Sequence, residues 1–128
     1  MVCGRAGVGE PLARILREMV AGEGGAAVAS VFGGAAVPAR AAALVNGATS
    51  HALDYDDTHF AHVGHPSVGV YPAALAAGEE ARSTAAAVAD AFLVGAEASV
   101  SPVGTEPASP DTSSGCRSIA RGASTSFS

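Results

Sequence analysis

The stretch ALVNGATSHALDYDDTHFAHVGHPSVGVYPAALAAGEE, residues 43–80, decides how this chain is read. Leu44, Val45, Ala48 and Leu53 recur at helical spacing, and Pro38 just upstream suits a first helical turn. That pattern predicts a helix over residues 38–55. The segment DDTHFAHVGHPS then reads as a loop, because Gly64 and Pro66 interrupt any regular element and leave residues 57–66 irregular. A second apolar run follows and predicts a buried helix over residues 68–82, with Pro72 in its first turn.

Upstream, Pro11 opens a helix that carries Leu12, Ile15, Leu16 and Met19, and Gly22, Gly24 and Gly25 stop it. Residues 26–37 hold Val28, Val31 and Phe32 before Gly33-Gly34, a pattern compatible with a short strand or a turn. Downstream, Ser83 or Thr84 can cap a further helix through Val88, Phe92 and Val94. No alternating strand pattern of any length is present, so the expected class is all-α. Asn46-Gly47 resembles a hairpin signal, but its Ala-rich helical flanks favour close helix packing. Gly7-Val8-Gly9 follows no strand and lacks a third glycine in register, so it is no dinucleotide fingerprint.

Composition bounds the rest. The chain has 128 residues, of which 48% are hydrophobic, yet only 5% are aromatic and none is Trp. Alanine supplies 30 residues, and alanine buries little area, so the core must be thin. The net charge is −5 and there is no Lys, which argues against nucleic-acid and acidic-membrane partners. No apolar run is long enough for a membrane span, and no signal-peptide order is seen, so a cytoplasmic location is expected. Cys3 and Cys116 lie far apart without zinc spacing and read as inert thiols. Residues 99–128 hold 9 Ser and 3 Pro and show no hydrophobic period. They are expected to form a disordered tail behind a helical unit of residues 1–98.

All four His and the densest group of acids fall within residues 51–65: His51, Asp54, Asp56, Asp57, His59, His62 and His65. Three readings are open. A His near neutral pH can give or take a proton, and a neighbouring carboxylate can fix its tautomer, which makes an acid–base site. His59, His62 and His65 are spaced three apart, which allows a metal site, although no recognised metal motif matches. Otherwise the acids are a solvated helix end beside a polar loop. If the helix continued to Thr58, then His51, Asp54 and Thr58 would share one face. His51, beside Leu53, reads as structural. Asp56 and Asp57 are adjacent and cannot share a helix face, so at least one should be solvated.

The HALDYDDTH…HPS pattern, within residues 43–80, closely resembles the MmgE/PrpD family, and residues 10–42 resemble the stretch before it. That family includes 2-methylcitrate dehydratase and cis-aconitate decarboxylase. The resemblance, which covers about residues 10–98, implies part of a large all-helical domain. It implies a cofactor-independent lyase without an iron–sulfur cluster, a small tricarboxylate substrate and a homodimer. It places Asp54, Thr58 and His65 in the active site; His59, His62 and Asp57 are expected beside the substrate, with no metal. Dehydration needs a base for the proton α to a carboxylate, an acid for the departing hydroxide, and cations for the substrate carboxylates. His65 suits proton transfer, Asp54 its orientation, and Thr58 a hydrogen bond. The cations are lacking: Arg40 and Arg82 lie outside the motif, and no His follows His65.

The fading of the resemblance after residue 98 suggests a truncated or frameshifted reading frame, with a genuine linker as the alternative. The expectation is an N-terminal fragment of a 2-methylcitrate dehydratase-like lyase with little activity of its own. A cis-aconitate decarboxylase-like enzyme and a non-catalytic helical remnant are the alternatives.

Overall fold

The computed structural model describes residues 2–60 and 63–101. Five α-helices follow one another: α1 (Val2–Ala6), α2 (Pro11–Ala21), α3 (Ala39–His51), α4 (Pro66–Glu80) and α5 (Ala85–Val100). A 3-10 turn, Gly7–Gly9, joins α1 to α2. Among the described residues there are two isolated β-bridges and no strand, so the class is all-α.

Pro11 stands at the start of α2 and Gly22 at its C-cap, where the periodicity puts them. The segment that reads as strand or turn is a reversal closed by one bridge, in which Ala29 and Val37 exchange both backbone hydrogen bonds at 3.0 Å. Thr84 caps α5, its side-chain oxygen accepting from the Ala87 N–H at 3.2 Å. Helix α5 runs two residues past the compositional boundary at 98. The expectation of a disordered tail concerns residues that lie, from 102 onward, outside the described ones.

Two helix ends differ from the periodicity. Helix α3 stops at His51 rather than at residue 55. Asp54 takes a left-handed conformation, φ 55°, and its N–H bonds the His51 carbonyl at 2.9 Å, which turns the chain away from the helix axis. A helix extended through Thr58 would also bring Asp54, Asp56 and Asp57 to its negative dipole end. Helix α4 begins at Pro66, not Val68, because a proline at the first helical position gives up no intrahelical bond. Pro72 therefore sits inside α4. It cannot donate the N–H that the Val68 carbonyl would accept in a regular helix. That carbonyl lies against Gly47 of α3, where an added Cβ would approach it to 2.8 Å. Asn46-Gly47 is thus a site of close helix packing.

The core is small, as expected of an Ala-rich chain. It consists of Val20, Ala29, Val31, Val37, Ala41, Ala42, Val45 and Ala76, gathered from α2, the reversal, α3 and α4. Among the described residues α5 buries none of its side chains, and Leu93 and Val94 are exposed. Polar bonds hold the reversal on the helices. The buried Asn46 side chain accepts from the Phe32 N–H and donates to the Ser30 carbonyl, both at 2.8 Å. The Glu79 carboxylate accepts from the Ser30 N–H at 2.6 Å and its hydroxyl at 2.7 Å. Arg17 donates to the Val8 carbonyl at 3.0 Å, which secures the 3-10 turn.

Candidate functional site

The end of α3, the turn behind it and the start of α4 meet at one place. His51 is the last residue of α3, and His65 immediately precedes Pro66 of α4. Because α3 and α4 are packed side by side, the two imidazoles converge. Their ring centroids are 4.8 Å apart, tilted by 59°.

Asp56 lies between them. Its side chain is only 4% exposed, and its Oδ2 is 3.1 Å from Nδ1 of His51 and 3.1 Å from Nδ1 of His65. The contact with His51 is a hydrogen bond. The contact with His65 has the distance of an ion pair but not the alignment of a hydrogen bond, so His65 Nδ1 is buried without a hydrogen-bond partner. On the other side of the ring, His65 Nε2 is 3.6 Å from Oδ1 of the exposed Asp54. His65 is therefore flanked by two carboxylates, one buried and one in solvent.

Of the residues expected in the site, the structure brings Asp54 and His65 together. Thr58 is an exposed loop residue, and it shares no helical face with Asp54 because α3 has already ended. Asp57 accepts from the Ser67 N–H at 3.2 Å and so places a carboxylate at the positive end of α4. His59 belongs to the loop closure, its N–H bonding the Gly64 carbonyl at 2.9 Å. His62 lies outside the described residues. The donors that converge are His51, Asp54, Asp56 and His65, not the three-spaced His59, His62 and His65.

Sequence reading missed His51 and Asp56. It assigned His51 a structural part and left open which of two adjacent acids is solvated. The pairing arises from chain reversal after α3, so no periodic spacing reports it. A cleft of about 350 Å³ opens beside the cluster, lined by Asp56, Asp57, Tyr55, Ser67, Tyr71 and Phe92. Its volume lies in the range of small-ligand sites.

Comparison with known proteins supplies one match. The family model described as the MmgE/PrpD N-terminal domain matches residues 1–107. It therefore takes in α1 and the residues just beyond α5. No curated protein and no solved structure matches the chain. Among the described residues no helix is long and apolar enough to cross a membrane.

Proposed function

The chain belongs to the MmgE/PrpD family, and on that premise we propose that it carries part of the site of a lyase that dehydrates a small tricarboxylate. The observation that carries the reading is the placement of His65, with Asp56 3.1 Å from one ring nitrogen and Asp54 3.6 Å from the other. In this reading His65 moves the proton, Asp56 fixes the ring, and Asp54 lies on the side open to solvent. The C–H bond α to a carboxylate breaks, its electron pair forms the new double bond, and hydroxide leaves with a proton as water. Thr58 supplies a hydrogen bond to the substrate. Asp57, with the oxygen that Ser67 does not hold, and His59 border it from the same loop, and His62 is assigned to substrate binding with them. Substrate class, homodimer formation and a cytoplasmic location belong to the proposal.

The carboxylates at the site bear on activity. A tricarboxylate carries about three negative charges near neutral pH. Asp54, Asp56 and Asp57 repel it, and among the described residues no Arg pairs with them. We therefore expect little or no turnover by this chain alone. The test has two arms, both reading the absorbance of the new conjugated double bond. The isolated chain is assayed with 2-methylcitrate and with citrate. Residues 1–107 are then exchanged for the matching segment of an intact family enzyme. The proposal expects an inactive isolated chain and an active chimera that loses at least about 100-fold on His65→Ala. A folded, active chimera indifferent to His65→Ala refutes the assignment of His65, and robust turnover by the isolated chain refutes the electrostatic argument against it.

A further inference from the structure

We propose that His51, Asp54, Asp56 and His65 form a binding site for one divalent transition-metal ion, with zinc the best-matched. The site shares His65, Asp54 and Asp56 with the lyase reading, but its test reads binding and needs no turnover.

The argument starts from geometry. One ligand atom from each of the four residues can be chosen so that all lie within 4.8 Å of one another. A tetrahedral zinc centre with nitrogen and oxygen ligands at about 2.0–2.2 Å has ligand–ligand separations of about 3.4 Å. The distances of Asp56 Oδ2 from the two Nδ1 atoms, 3.1 Å each, are already close to that edge length. Asp54, whose Oδ1 lies 3.6 Å from the other ring nitrogen of His65, is the outermost and most exposed of the four donors.

Charge and donor type agree with it. Two carboxylates flank the His65 ring, Asp56 also bonds His51, and among the described residues their only ionic partners are those imidazoles. With both rings neutral the group holds about two negative charges, one of them on the 4%-exposed side chain of Asp56. A divalent cation cancels that charge. The buried Nδ1 of His65 lacks a hydrogen-bond partner, so binding there would cost it no bond within the protein. Two imidazoles with two carboxylates favour zinc, cobalt, nickel or copper over magnesium or calcium, which take oxygen ligands. The sequence suggested a metal on His59, His62 and His65, but only His65 is shared with the set that converges.

The test uses the full chain, stripped with a chelator and kept reduced. Cobalt(II) is titrated while the visible d–d bands of a tetrahedral centre are followed, and zinc(II) binding is measured by calorimetry. The expected result is one ion per chain, with cobalt bands that zinc bleaches. His65→Ala and Asp56→Asn should each weaken binding by at least about 10–100-fold. Far-UV circular dichroism checks that each variant is folded. His51→Gln, on a half-exposed side chain, tests the site without touching the buried carboxylate. The double variant Cys3→Ser, Cys116→Ser should bind as the parent does. Absence of binding, octahedral cobalt spectra, or binding that survives His51→Gln and His65→Ala but is lost with the cysteines would overturn the proposal.

Discussion

Replacing Asn46 by Ala should cost this protein a large part of its stability. The Asn46 side chain is almost wholly buried and makes two 2.8 Å hydrogen bonds, accepting from the Phe32 N–H and donating to the Ser30 carbonyl. The substitution removes both partners at once and leaves two backbone groups unsatisfied in a place water reaches poorly. Each such group costs about 1–3 kcal/mol. The sum is about 2–6 kcal/mol, and relaxation of the reversal toward solvent on its Ser30 side brings the expected value to the lower half, about 2–4 kcal/mol. Small domains have only about 5–15 kcal/mol in total, and a core that buries no Leu, Ile or Phe among the described residues belongs near the bottom of that range. Asn46→Asp should be no better than Ala, because it keeps the acceptor for Phe32 but turns a carboxylate on the Ser30 carbonyl. Urea unfolding followed by far-UV circular dichroism measures the loss, and hydrogen exchange at the Phe32 amide should accelerate in step. A change under about 0.5 kcal/mol, the range of ordinary surface substitutions, would refute the view that Asn46 holds residues 29–37 on α3.

Two other substitutions test the helix packing and the helix ends. Gly47→Ala should destabilise the chain by about 1–3 kcal/mol, since its Cβ would press on the Val68 carbonyl; thermal unfolding reads this, and an unchanged Tm would show that the helices part freely. Arg82→Gly should stabilise by about 1 kcal/mol, because Arg82 holds φ 52° at the end of α4, where the Ser83 N–H bonds the Gly78 carbonyl and the Arg82 N–H that of Glu79; a loss in denaturant midpoint would count against strain there.

Periodicity served the helix bodies well and their ends poorly. Pro11, Gly22 and Thr84 mark real boundaries because capping is local chemistry that a few residues specify. The end of α3 is decided otherwise: Asp54 turns left-handed and Asp56 finds His51, a preference that appears only when α4 is packed alongside. Helix α1 was not anticipated in the sequence. Gly4 is in fact buried against Phe32, where a side chain would collide. In the candidate site, Asp54 and His65 were legible only through the resemblance of the surrounding motif. His51 and Asp56 were not, because their partnership crosses a chain reversal and follows neither a 3.6 nor a 2.0 period.

The contact between Gly47 and Val68 makes the site a joint. Gly47 is four residues from His51, about 6 Å along α3 at 1.5 Å per residue, and Val68 is three residues from His65. The two imidazoles therefore ride on short arms extending from one fulcrum. A tilt of about 10° between the helices moves one ring past the other by about 1 Å, a displacement large enough to cost on the order of 100-fold in a reaction that depends on alignment.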